Sequence, residues 1–300
     1  MLPGIALACA LSALRLQNFV VIFVDDMGYG DLSCYGNTKF KTPNLDRMAR
    51  NGARFTDFNV ASPACSPSRA SLLTGCYPAR VSVPQVLNPD SPTGLSTNET
   101  TIAQMLKPLG YSTACIGKWH LGVKNLMPTF HGFDSYYGLP NSNDMWPPNG
   151  NWPDLFIHQD LKPVEQVRTL EDQALLTQKY TARAKEFIVA NNNKPFFLYM
   201  TPSMPHVPIA ASKAFLGRSG KGLYADTIQE LDWSVGEIIA TLKKTGHEKD
   251  TLVVFASDNG PWLPYGEHAG SSGGFREGKG TAFEGGFRVP GIFYQTGKVP

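Results

Sequence analysis

Two stretches far apart in this chain of 300 residues end the same way. Phe19-Val20-Val21-Ile22-Phe23-Val24 is an unbroken apolar run, rich in β-branched residues, that stops on Asp25-Asp26. Thr251 to Ala256 is a second such run, and it stops on Ser257-Asp258-Asn259-Gly260. Apolar runs without alternation suit strands buried on both faces, as in a parallel sheet covered by helices on either side. Further strands are expected at 55–60, 111–117, 196–200 and from Arg288 onward. Helices are expected over 42–50, from an Asn98 cap to Gly110, over 224–244, and over 170–191 with Leu175, Leu176, Ala182, Phe187 and Ile188 as its apolar stripe. Strands alternating with helices make an α/β architecture with a large, mostly parallel central sheet flanked by helices. Ligands in such sheets gather at the carboxyl ends of the strands, where both acidic tips fall.

Left unpaired, Asp25 and Asp26 would repel each other and resist ionisation. A hard cation with oxygen ligands relieves that, and calcium is the natural choice, with magnesium the other candidate. A turn or helix cap accounts for one aspartate but not for two. Asp258 and Asn259 bring further oxygen donors to the same edge, so the four can form an all-oxygen site, and Gly260 allows close backbone approach. A net charge of +2 with no dense Lys/Arg run argues against nucleic acid as the main partner and makes any anion site local. The five cysteines (9, 34, 65, 76, 115) are widely spaced, odd in number and form no C-x-x-C pair. That spacing suggests neither a zinc site nor a redox dithiol, and leaves a disulfide from Cys34 open. Residues 1–18 read equally well as a signal-like segment or an ordinary N-terminus; their apolar run, Leu2 to Leu14, is too short to span a bilayer, so no membrane span is expected.

A short helix is expected in Cys65-Ser66-Pro67-Ser68-Arg69-Ala70-Ser71-Leu72-Leu73-Thr74-Gly75, with Ser66 as cap, Pro67 in the first turn and Gly75 as left-handed stop. Cys65 then lies at the helix N-terminus, where free N–H groups and the dipole favour an anion or a thiolate. Arg69, one turn along, can point a cation back to the same spot. A buried cysteine beside a packing helix is the plainer account of a C-x-P-x-R taken alone. The longer string closely resembles the signature of type I, formylglycine-dependent sulfatases, in particular the arylsulfatase A-like enzymes. The resemblance implies that a separate maturation enzyme oxidises Cys65 to formylglycine, whose hydrate is the nucleophile positioned by Arg69.

Other segments carry the same likeness. Lys118 and His120, expected on extended backbone and facing one side, would alone read as an exposed lysine and a structural histidine. Gly117-Lys118-Trp119-His120-Leu121-Gly122, however, resembles a second sulfatase motif, which implies that Lys118 binds sulfate and His120 contacts formylglycine and helps expel sulfate. Prolines at 202, 205 and 208 are expected to hold His206 on stiff, extended backbone at a strand's end, and the matching histidine contacts sulfate and the leaving oxygen. Gly278-Lys279-Gly280 with Glu284-Gly285-Gly286 resembles the third anion-binding segment, which makes Lys279 a sulfate contact, and Ser142 matches a sulfate-contacting serine. Asp25, Asp26, Asp258 and Asn259 match the calcium ligands, with the modified Cys65 completing the set.

The resemblance implies a sulfuric ester hydrolase of alkaline-phosphatase-like fold, with a catalytic domain over 19–300 and a C-terminal subdomain missing. Its substrate would be a sulfated small molecule or carbohydrate, and its setting secreted or periplasmic, or lysosomal in a eukaryote. The Pro- and Asn-rich segments 81–97 and 139–170 are expected as loops over the site; Trp146 and Trp152 in the second would line a pocket or anchor the loop itself. The competing readings are a phosphomonoesterase or phosphodiesterase of related fold and an inactive truncated fragment.

Overall fold

In the computed structural model, which describes residues 16–299, the strands are Asn18–Val24 (β1), Ala53–Phe55 (β2), Ser112–Gly117 (β3), Ser135–Gly138 (β4), Leu155–Gln159 (β5), Lys162–Val167 (β6), Phe196–Thr201 (β7), Thr251–Ser257 (β8) and Gly291–Tyr294 (β9). The signal-like reading of the N-terminus falls, up to residue 15, outside the described residues. All nine strands join one sheet in the order β2-β9-β8-β1-β7-β3-β4-β5-β6. The five central strands, β8 to β4, run parallel, and antiparallel pairs extend the sheet at both flanks.

Alternation along β1 explains why an all-apolar strand is needed. Val20, Ile22 and Val24 face one layer, with Leu176, Tyr180, Ala184 and Ile188 of one long helix and Leu231, Val235, Ile238 and Leu242 of another. Phe19, Val21 and Phe23 face the opposite layer, with Ala70, Leu73, Ala103 and Trp119. Both faces are therefore covered by apolar side chains, as a parallel sheet requires. The helices are Pro43–Arg50 (α1), Cys65–Thr74 (α2), Ile102–Leu106 (α3), Leu170–Ala174 (α4), Leu176–Ala190 (α5), Leu223–Lys244 (α6) and Glu284–Phe287 (α7).

Several expectations need correction. The stretch 55–60 is not a strand: pairing covers Ala53–Phe55, and beyond it only Asn59 bridges to Arg288. The helix expected from Asn98 begins later, because Thr101 and Gln104 form the capping box. The helix expected over 170–191 breaks at Leu175. The break turns the buried stripe onto Leu176, Tyr180, Ala184 and Ile188, and leaves Leu175 and Ala182 exposed. The segment 139–170 is not loop throughout, since β5 and β6 form an antiparallel hairpin inside it. Trp146 is buried in the core and Trp152 half-buried, so Trp146 is an anchor. Segment 81–97 is irregular as expected, yet Val81, Val83, Leu87 and Leu95 are buried beneath it. Cys34, Cys65, Cys76 and Cys115 are free thiols, which removes a Cys34 disulfide among the described residues.

Candidate active site

Parallel strands put their carboxyl ends on one edge, and the register brings them level. Val24 pairs with Ser257, Ile22 with Met200, and Gly117 with Thr201. The residues that follow, Asp25-Asp26, Asp258-Asn259, Lys118 and the turn bearing His206, are thereby delivered to one place. Asp25, Asp26 and Asp258 each offer an oxygen within 4.8 Å of the others'. Cys65 reaches them from the other side as the first residue of α2, with Ala64 rather than Ser66 at the cap position. Its sulfur, a nitrogen of His206 and an oxygen of Asp25 also lie within 4.8 Å of one another.

Three cations balance the three carboxylates; all are buried except Lys279, which is half-buried. Arg69 donates from Nε and Nη2 to one oxygen of Asp258 (2.9 and 2.7 Å), lies 3.6 Å from Asp25, and donates from Nη1 to the Lys118 carbonyl at 3.1 Å. Lys118 Nζ donates to Asp25 Oδ2 at 2.5 Å and to Ser142 Oγ at 3.0 Å. Lys279 Nζ sits 2.7 and 2.8 Å from the two oxygens of Asp26. Asn259 donates from Nδ2 to Asp26 Oδ1 at 2.7 Å. Asp25, Asp26, Asp258, Asn259, Cys65, Arg69, Lys118, Ser142, His206 and Lys279 thus meet in one cluster.

Electrostatics in this buried setting are steep. Burial alone would raise the Asp25 pKa, but Lys118, His206 and Arg69 more than offset it and hold the carboxyl well below its usual range. Burial and the neighbouring Asp25 push Asp258 upward against the pull of Arg69. Crowded carboxylates of this kind favour a cation. Two oxygens of the set, Asp25 Oδ1 and Asn259 Oδ1, are buried with no hydrogen-bond partner. The donor set, all oxygen and unsatisfied in two places, fits a hard divalent ion.

The nucleophile position departs from its expectation. Burial pushes the Cys65 thiol up, against Lys118 and Lys279, so the helix N-terminus does not make a thiolate here. The histidines depart as well. His120 has φ 59°, in the left-handed region, so it does not continue an extended strand beside Lys118. Its Nε2 lies 2.7 Å from the Leu87 carbonyl and so carries the proton, which leaves Nδ1 as a buried lone pair without a partner. His206 lies in a turn closed by its N–H to the Ser203 carbonyl (3.2 Å), not on extended backbone. Its Nδ1 donates to the Val207 carbonyl at 2.6 Å, and Nε2 faces Asp26 at 3.7 Å. Burial lowers both imidazoles, helped by Lys118 for His120 and by Lys279 for His206, so both are neutral at pH 7.

Sequence reasoning missed two neighbours. The Leu87 carbonyl sets the His120 tautomer, and a backbone atom leaves no trace in residue type. Trp262, directly after Asn259-Gly260-Pro261, lies under Lys279 Nζ (4.3 Å to the ring centre) and beside the His206 ring (5.4 Å). An aromatic placed three residues past the acidic tip was the available signal.

The family model described as Sulfatase matches residues 17–300. Arylsulfatase A of Homo sapiens is 40% identical over 314 residues, which cover 98% of this chain and 62% of that protein. N-acetylgalactosamine-6-sulfatase of Rattus norvegicus is 39% identical over 308 residues, 97% of this chain and 59% of that one. The chain therefore spans less than two thirds of the length of these relatives. The crystal structure of PsFucS1 sulfatase from Pseudoalteromonas sp. superposes with a TM-score of 0.87 at 31% identity, covering 95% of this chain and 63% of that one. The sheet and its two helical layers are the alkaline-phosphatase-like fold of these enzymes. Because the family model covers residues 17–300, and with them every strand tip and loop that feeds the cluster, this chain belongs to the sulfatase family.

Proposed function

We propose that the chain carries the catalytic site of a sulfuric ester hydrolase acting on a sulfated small molecule or carbohydrate. The observation that carries this is the placement of Cys65. It is buried at the start of α2, its sulfur within 4.8 Å of ligand atoms of Asp25 and His206, in the field of Lys118 and Lys279.

The charges support an anionic substrate. The three carboxylates and three cations of the cluster cancel. A calcium or magnesium ion held by Asp25, Asp26, Asp258 and Asn259 would leave two positive charges in surplus and supply charge neutralisation on the oxygens of a bound sulfate. Formylglycine made from Cys65 by a maturation enzyme would supply, as its hydrate, the hydroxyl nucleophile that a protonated thiol does not. Lys118 and Lys279 hold equatorial oxygens, and Ser142 fixes the Lys118 ammonium. Arg69 locks α2 to Asp258, and so fixes where position 65 points. His120 Nδ1, the unpartnered lone pair, accepts a proton during sulfate release. His206 assists the leaving oxygen from Nε2; it must first take up a proton, which an incoming anion favours. A secreted, periplasmic or lysosomal setting belongs to the same reading, although residues 1–18 fit a signal-like segment and an ordinary N-terminus equally.

Peptide mass analysis of the segment around position 65, from protein made with the maturation enzyme, tests the nucleophile: the thiol-to-aldehyde change is expected. Turnover on matched aryl sulfate and aryl phosphate esters tests the reaction class. Preference for the phosphate ester, or an unmodified cysteine in a fully active preparation, overturns the proposal.

A further inference from the structure

The thiol of Cys65, a ring nitrogen of His206 and a carboxylate oxygen of Asp25 form a donor set of a different character from the all-oxygen cluster beside it. All three residues are buried. Sulfur, imidazole nitrogen and carboxylate oxygen together suit zinc, not calcium. The sequence spacing gave no hint of this, since the ligands are contributed by a strand end, a helix start and a turn well over a hundred residues further on.

The surroundings are those of a prepared ligand set. His206 donates its Nδ1 proton to the Val207 carbonyl at 2.6 Å, which fixes the tautomer and presents Nε2 as a lone pair; metal-binding histidines are oriented by that kind of outer hydrogen bond. Asp25 uses Oδ2 for Lys118 and keeps Oδ1 buried without a partner. Asp26 and Asp258 lie within 4.8 Å of Asp25, but Arg69, Lys118 and Lys279 balance these three carboxylates, so the thiolate formed on binding supplies the net negative charge.

We propose that the chain, before Cys65 is oxidised, binds one zinc-class ion through Cys65 Sγ, His206 Nε2 and Asp25, with a fourth position left for water. Binding deprotonates the thiol, and its proton passes to solvent. The all-oxygen cation and the zinc-class ion share Asp25, so they compete. Conversion of Cys65 to an aldehyde removes the sulfur and abolishes this second mode of metal binding. The inference concerns the unoxidised chain and does not depend on its turning over a sulfate ester.

The test uses the full chain made without the maturation enzyme, with an intact cysteine at 65 confirmed by mass, stripped of metal and titrated with cobalt(II). One equivalent is expected to develop a thiolate-to-cobalt charge-transfer band that zinc then bleaches. C65S, shown to melt cooperatively, is expected to lack the band, and H206Q to weaken cobalt binding about tenfold or more. Zinc X-ray absorption on the unsubstituted chain gives a readout free of any variant: one sulfur with nitrogen and oxygen neighbours is expected. A folded Cys65 chain without the band, a band that survives in C65S, or a zinc shell without sulfur overturns the assignment.

Discussion

Lys118 has no exposed surface and sits between Asp25 and Ser142. Burial alone would strip its charge, yet Asp25 raises the pKa and keeps the ammonium. Lys118→Ala is therefore expected to lower turnover of an aryl sulfate roughly a hundredfold or more, the usual cost of losing one oxyanion contact. It also leaves Asp25 with one cation fewer in a dry site, and a denaturant melt should show a loss of about 3–5 kcal/mol. Ser142→Ala removes only a neutral acceptor from the same ammonium, so its expected cost is about 1 kcal/mol, near tenfold or below in turnover. Steady-state kinetics on the two variants separates these cases, and near-normal turnover in Lys118→Ala removes the assigned role. The identities of these residues were legible, Lys118 from its motif string and Asp25 from its strand tip, with Ser142 resting on a looser local match. Their backbone was not: Asp26 (φ 63°) and His120 (φ 59°) adopt a left-handed conformation, which aspartate and histidine enter more readily than most residues but which their types do not fix at a strand end.

Elements position these side chains through a few close approaches. A Cβ added at Gly260 would lie 1.7 Å from the Gly285 carbonyl oxygen, and Gly260 N–H donates to the Gly286 carbonyl at 3.0 Å. The tip of β8 is thereby fastened to the glycine-rich segment that carries Lys279. Gly260→Ala forces two backbones apart, so it should displace Lys279, lower turnover at least tenfold and lower the melting temperature; calorimetry with kinetics checks both. Close approach at Gly260 was expected from its place after two ligand residues, while its partner at 285 was not, because glycine spacing does not say which backbone comes near. The β5–β6 hairpin was read as loop for a related reason. β6 lies at the sheet's edge, its first three residues, Lys162, Pro163 and Val164, are exposed, and its sequence lacks the apolar run that marked the central strands. His131 ends a short helical turn at Pro128–His131, packed on Trp119 with ring centres 5.4 Å apart. Burial lowers its pKa to about 4. An unfolded histidine titrates near 6.5, so the folded chain binds fewer protons between the two values. Stability is then present above about pH 6.5 and lost as pH falls through 4, by up to roughly 3 kcal/mol. His131→Gln should flatten part of the acid limb of a melting-temperature profile, and an unchanged limb would show that His131 does not contribute to it.

The whole molecule converges on its site through the parallel centre of the sheet, which is why this level was the most readable. Two long apolar runs ending in acidic residues already implied parallel strands opening on one edge, and the register confirms that they end level. At the antiparallel flanks β9 was anticipated by the run from Arg288, whereas β2 has only three residues and β5 and β6 sit inside a Pro- and Asn-rich segment whose composition reads as loop. The same convergence makes the site a fastening between distant parts of the chain: β1 and β8 supply the carboxylates, α2, the residue after β3 and the 270–286 segment supply the cations. A divalent ion held by Asp25, Asp26, Asp258 and Asn259 joins strand ends more than two hundred residues apart. Such an ion binds the folded chain and finds no site in the unfolded one, so it adds about 2.7 kcal/mol when its concentration is a hundredfold above its dissociation constant. For a domain of this size that is a rise of several degrees in melting temperature. Calcium is expected to produce it, magnesium to produce less because it demands a tighter octahedral shell, and Asp26→Asn combined with Asp258→Asn to abolish it. Asp57→Asn, at an exposed carboxylate that pairs with Arg288, is the control and should keep the full calcium response. A chain that stays aggregated or melts without cooperativity in calcium would point instead to an inactive fragment. A cooperative melt that calcium leaves unmoved would show that the four oxygens do not act as one ligand set.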